Sequence, residues 1–149
     1  MKTIIQSIFL ILILILLASN AMAQTSEETQ NLQAMDRWVE IWNNGKYELM
    51  AETVTPTYIR HEPKGNRVIT RDKYLEEIKF YREKLNMRFV NHKVSADKDL
   101  IWLLWTMTTT NPKTGKEQLG RGVQLYRLED GKLAETWWMG TVDKGAWPQ

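Results

Sequence analysis

One of the two histidines in this chain, His61, stands beside Glu62 in the stretch YIRHEPKG, immediately ahead of a proline. A histidine titrating near neutrality can shuttle protons. A glutamate set among apolar side chains has its pKa raised, because burial penalises the charged form, and becomes a usable base. Together they suit cofactor-free acid–base chemistry. Neighbours on a strand point to opposite faces, so without a bulge only one of the two reaches a shared pocket. The second histidine, His92, is alone in an extended stretch and reads as structural. Two histidines 31 positions apart, with no clustered acids, make no metal-ligand set, and no cofactor is expected.

Seven tryptophans are the other chemical signal. Trp38 and Trp42 lie four apart on a helical pattern, so packing into the core is their default. Trp105 shares a strand face with Met107. In ETWW the two indoles point opposite ways, Trp138 assigned inward and Trp137 outward. Several indoles around one cavity would suit a flat, hydrophobic or aromatic ligand. Arg121 could clamp an anion, although a surface ion pair is the commoner use of such a residue.

The elements that must position these residues can be read from periodicity. QTSEETQ (24–30) is a polar lead-in. Leu32, Met35, Val39 and Trp42 then fall at helical spacing with Trp38 flanking, and NNG at 43–45 stops that helix. Tyr47, Met50, Ala51 and Val54 mark a second, short helix that Pro56 ends. TYIRHE reads as a short strand closed by Pro63 and Gly65. Thr70 can cap a third helix with the stripe Tyr74, Ile78, Tyr81 and Leu85. Beyond Asn86 the pattern turns extended: MRFVNHKVSA alternates, and three long antiparallel strands follow. They are LIWLLWTMTTT (100–110), whose first half is apolar on both faces, EQLGRGVQLYRL (117–128) and, after the D-G turn signal, LAETWWMG. The resulting class is α+β, with a cone-shaped curved antiparallel sheet wrapped around three N-terminal helices. Its open end would be a small-molecule pocket.

Residues 1–23 read differently. Lys2, the apolar run Ile4–Ala18 and the small-x-small AMA at 21–23 form a secretory signal, with export to the periplasm or medium expected. The run is shorter than the roughly 20 residues a membrane helix needs. Cleavage would take 23 of 149 residues, leaving 126, enough for one domain at 24–149. Losing Lys2 leaves 19 basic against 18 acidic residues, which argues against a nucleic-acid footprint. Without cysteines the fold must rest on its core. No membrane association is expected after cleavage.

WVEIWNNGKYELMAETVTPTYIRHEP and YRLEDGKLAETWW together resemble the SnoaL-like branch of the nuclear transport factor two-like superfamily. That branch reads W-N-x-G, a helix, a strand ending H-x-P, and later D-G-K-I-x-E-x-W. The resemblance implies the cone fold and favours His61 as the pocket residue. Ketosteroid isomerase relatives match without a gap from Arg37 to Pro63, and they favour Glu62, since their base carboxylate immediately precedes the proline. Their oxyanion tyrosine falls on Trp38, and their protonated aspartate on Gln124. The two donors thus become an indole N–H and an amide. The acid of SnoaL-type polyketide cyclases would fall at Thr141, with Asp143 two residues on. The resemblance places the Trp105 face toward the pocket and Trp102 on the opposite face, where this superfamily often forms dimers. With His61 and Glu62 as catalytic candidates, the expected ligand contacts are Trp38, Tyr58, Trp105, Met107, Gln124 and Trp138. The implied partners are a small hydrophobic or aromatic ligand and a second copy of the chain. The function that the resemblance implies is a ligand-binding domain with cofactor-free proton transfer of the isomerase, dehydratase or aldol cyclase type, or a non-catalytic binding or dimerisation module using the same pocket.

Overall fold

A computed structural model describes residues 26–141; the signal read at 1–23, and Asp143, lie outside them. Helix α1 (26–39) runs into a single π turn, Glu40–Asn44, and stops at Gly45, whose φ of 71° is the left-handed conformation glycine adopts without strain. Its buried face is Asn31, Ala34, Met35, Trp38, Ile41 and Trp42, with Leu32 exposed. Trp38 is therefore central to the stripe rather than flanking it. The wider π turn lets consecutive Ile41 and Trp42 both face inward.

A 3₁₀ turn, Tyr47–Leu49, leads into the single turn α2 (Met50–Thr53). Strand β1 (Val54–Glu62) starts at once, so Pro56 does not end a helix. It falls inside the bulge between Val54 and Ile59, where β1 leaves its ladder with β6 and no N–H is required. A turn at Pro63–Lys64 leads to β2 (Gly65–Thr70), a strand that the sequence did not reveal because all but one of its six residues are exposed. Thr70 then caps α3 (Arg71–Lys84), its hydroxyl accepting from the Lys73 N–H at 3.2 Å. Tyr74 and Ile78 are the buried residues of α3.

Four long strands follow: β3 (Arg88–Asp97), β4 (Leu100–Thr110), β5 (Glu117–Glu129) and β6 (Lys132–Thr141). The sheet order is β2-β1-β6-β5-β4-β3. Every pair is antiparallel except β1–β6, which is parallel, so the sheet is mixed rather than antiparallel throughout. The cause is topological: the last strand inserts beside the first, in the middle of the sheet, and runs in its direction. The sheet is curved and open, and the three helices fill its concave side. Ile101, Leu103, Trp105 and Tyr126 from that side pack with Trp38, Ile41 and Ile78 of the helices in one buried core. The convex side is not covered by the described residues: Trp102 is 44% exposed and Met139 53%.

Candidate functional site

Period-two alternation sends Tyr58, Arg60 and Glu62 of β1 to the concave side and Ile59 and His61 to the convex side. Between these inward residues and the helices lies a cavity of about 350 Å³. Trp38 of α1 and Trp42 of the π turn form one wall, Tyr74, Glu77 and Tyr81 of α3 another. Met87, Phe89, Met107, Gln124 and Trp138 supply the sheet side, and Pro63 and Lys64 stand at the turn after β1. Phe89 is held there by Asn43 of the NNG stop, whose amide donates to the Phe89 carbonyl (2.6 Å) and accepts its N–H (2.8 Å). Trp38 and Trp42 each lie 5.0 Å from Phe89, Trp42 edge to face and Trp38 tilted.

Trp105 was expected on this wall and is not part of it. It is fully buried, with Trp138 stacked 6.0 Å away at 18° between planes, so Trp138 holds the cavity surface. Register explains the depth. Trp105 pairs with Gly122, which pairs with Gly140, and the missing side chains leave a slot into which the indole sinks. Tyr58 is likewise absent from the wall: it is fully buried with its ring 4.8 Å from that of Tyr74, and Tyr74 faces the cavity instead. Burial pushes the Tyr58 phenol well up, so it is no acid near neutrality.

Trp38, Met107, Gln124 and Trp138 do line the cavity. The two donors inferred from the isomerase comparison have other partners, however. Trp38 gives its indole N–H to the Tyr74 hydroxyl at 3.3 Å. The Gln124 amide donates to the Thr136 hydroxyl at 3.0 Å.

Glu62 lines the cavity but does not have the raised pKa expected from apolar surroundings. Burial pushes it up, yet hydrogen bonds from Arg67 and the charges of Arg60 and Arg67 outweigh that and hold the carboxyl below its ordinary value. Arg60 reaches Glu62 at 2.9 Å, and Arg67 binds both its oxygens at 3.0 Å. Arg60 and Arg67 are directly opposed across the β1–β2 pair, a placement that repels by itself. Glu77 of α3 offsets it by accepting from Arg60 (3.1 Å) and from Arg67 (2.8 and 3.2 Å). The Arg60 guanidinium also lies 5.0 Å from the Tyr74 ring centre.

His61 is outside the cavity. Its Nε2 meets Glu135 at 2.6 Å and its Nδ1 meets the Asn66 side-chain oxygen at 2.8 Å. Its ring stacks on its β6 partner Trp137 at 4.7 Å and 10°. Acceptors at both nitrogens favour the imidazolium, and the Glu135 bond, then the Asn66 bond, raise the His61 pKa. Burial raises Glu135, but bonds from His61 and Arg127 win and lower it. His92 meets the Thr106 hydroxyl at 2.6 Å. Among the described residues no group of three or more His, Cys, Asp or Glu could hold a metal ion.

Arg60, Lys64, Tyr74 and Glu77 are polar site residues that sequence reasoning missed, and Trp42, Tyr81, Met87 and Phe89 are apolar ones that it assigned only to packing or to an element. Arg60 was legible by its i, i+2 spacing from Glu62, and Glu77 by its place one turn after Tyr74 on α3. What joins them is the fold.

The SnoaL-like domain family model matches residues 35–136. No curated protein sequence matches the chain. Among solved structures, a protein from Jannaschia sp. CCS1, provisionally assigned as a SnoaL-like polyketide cyclase, superposes with a TM-score of 0.65 at 21% identity over 76% of this chain and 87% of its own. A provisionally assigned polyketide cyclase from Acidithiobacillus ferrooxidans gives 0.64 at 21% identity, over 74% and 87%. An epoxide hydrolase of the LEH-like type from M. tuberculosis gives 0.66 at 12% identity, over 78% and 86%. At these identities the likeness is one of fold.

Proposed function

The chain belongs to the SnoaL-like domain family, and from that premise we propose that it binds a small hydrophobic or aromatic molecule in the cone. One observation carries the reading: the open cavity walled by Trp38, Trp42, Tyr81, Phe89, Met107 and Trp138. Its volume of about 350 Å³ falls in the range of small-molecule sites, and its apolar wall with a few charged groups at one end is what such sites present. The test is calorimetric titration of the mature protein with planar aromatic compounds, beside the variant Met107→Trp, which fills the cavity from its sheet side. Saturable one-to-one binding that the variant loses is the expected result. Equal binding by parent and variant would place the ligand elsewhere and end this reading.

Cofactor-free proton transfer is the second reading, favoured by the continuity of the cavity from Trp138 and Gln124 to Glu62. In it Glu62 is the catalytic carboxylate, ionised at neutral pH, and Gln124 orients a carbonyl. His61, stacked behind the strand, positions β1. Glu62→Gln would then lower turnover of a bound substrate about 100- to 10,000-fold with binding nearly kept. His61→Ala would cost less. Two quaternary and targeting features belong to the same proposal. The apolar convex face around Trp102 packs against a second copy, giving twice the monomer mass in light scattering. The exported form begins at Gln24, which mass spectrometry of secreted protein would read directly.

A further inference from the structure

The charged end of the cavity narrows the class of ligand. This step rests on the binding reading above and goes further, to the sign of the ligand's charge. Four charged side chains line the cavity, Arg60, Lys64, Glu62 and Glu77. The two carboxylates are not available to a ligand on equal terms with the two cations. Arg67, outside this wall, binds both Glu62 oxygens and both Glu77 oxygens, at 3.0, 3.0, 2.8 and 3.2 Å. Each carboxylate therefore keeps a charged partner if Arg60 turns to something else. With Arg67 counted, three cations face two anions, and the other residues that line the cavity are uncharged.

Arg60 is the cation built into the wall. Its guanidinium rests against the Tyr74 ring and is fixed by Glu62 and Glu77. A guanidinium has five N–H donors, and these two contacts need only two of them. Lys64 stands a few residues along at the mouth with no carboxylate partner among the ion pairs of the described residues. A neutral ligand leaves that excess positive charge unanswered. A cationic one meets it head on.

We infer that the cavity takes a planar aromatic ligand carrying an anionic oxygen group, a carboxylate or a phenolate, seated with that group against Arg60 and Lys64 and its ring among Trp42, Phe89 and Trp138. Arg60 is then the residue that determines specificity. On binding it shares its donors with the ligand, and the Glu62 carboxylate, still held by Arg67, is left facing the ligand.

Three matched probes test this by titration calorimetry at pH 7: 2-naphthoate, 2-naphthamide and 2-naphthylmethylammonium. The expected order is naphthoate tightest, by about 10-fold over the amide, which corresponds to about 1.4 kcal/mol, with the ammonium weakest. Arg60→Met is expected to bring naphthoate and amide to equal affinity. If that variant does not fold, Lys64→Met, at an exposed turn position, is expected to lower the naphthoate preference two- to threefold and to reduce its salt dependence. Amide or ammonium binding as tightly as naphthoate overturns the inference and leaves the hydrophobic-ligand reading standing. Failure of all three probes to bind overturns both. An unchanged naphthoate preference in folded Arg60→Met or in Lys64→Met also overturns the assignment of the anion to this end of the cavity.

Discussion

Replacing Gly122 by alanine is the most direct test of how the cavity wall is built. A Cβ at Gly122 would stand 2.4 Å from Trp105 Cζ2, 2.6 Å from the Met139 carbonyl oxygen and 2.8 Å from Gly140 Cα. Non-bonded carbons are at ease near about 3.5–4.0 Å, so each contact is short by roughly 1 Å. Two of the three neighbours are backbone atoms of β6, held in the central β5–β6 ladder, and cannot turn aside. Overpacking of a core costs about 1–3 kcal/mol, and with backbone on two sides the cost should reach the top of that range. Of a total stability of about 5–15 kcal/mol that is a large share. At roughly 4 °C per kcal/mol for a domain of this size, Tm should fall by about 12 °C. Urea denaturation followed by tryptophan fluorescence is the assay, with the m-value expected to stay constant. Gly140→Ala is the comparison: the three atoms nearest its Cβ would be indole side-chain atoms, at 2.6–2.8 Å, so its loss should be smaller. A displaced Trp105 would also push Trp138 into the cavity, weakening ligand binding in the folded fraction. Gly122→Ala within about 1 kcal/mol of the parent would refute the argument that the paired glycines seat Trp105.

Two further outcomes follow from particular contacts. Tyr74→Phe removes the acceptor of the buried Trp38 N–H, and at 2% exposure Trp38 has little access to water as a substitute. The expected loss is about 1–3 kcal/mol by urea denaturation, and a change of a few tenths would mean that the bond contributes nothing. The His61–Glu135 pair should make stability depend on pH. The folded pKa of His61 lies above its unfolded 6.5, so its contribution is complete below 6.5 and is lost as pH rises through the folded value. The folded pKa of Glu135 lies below its unfolded 4.5, so its contribution is complete above 4.5 and is lost as pH falls through the folded value. The pair therefore stabilises most between about pH 4.5 and 6.5. Unfolding free energies measured at pH 5.5 and 8.5 should differ more in the parent than in His61→Ala, and parallel profiles would exclude the linkage.

The changed standing of Glu62 bears on chemistry. A carboxylate doubly bound by arginines is a weaker base than a lone buried one, and it is more firmly ionised. Any proton transfer here depends on a ligand that draws Arg60 away, which ties the second functional reading to the charge of the ligand.

Local features of this protein were written in the sequence by itself. The NNG stop, the Thr70 cap and the D-G hairpin depend on φ, on one side-chain oxygen and on adjacent residues, and each appears where the residues put it. The strand alternation after Asn86 depends on near neighbours in the same way, and so does the family motif that names the cone. Other features depend on distant partners. The edge strand β2 buries almost nothing, so no apolar period marked it, yet through hairpin register its Arg67 binds Glu62 and, with Arg60, holds that carboxyl below its ordinary pKa. The parallel β1–β6 pairing puts His61 on Trp137 and Glu135, away from the cavity that its neighbour enters. Two glycines on adjacent strands sink Trp105 below the wall and leave Trp138 to form it. Glu77 joins Arg60 from a helix 17 residues on. A residue's own type and spacing set which chemistry it can do; which charge lies within 3 Å of it, and which ring covers it, are set only when strands and helices far apart in the chain close on one another.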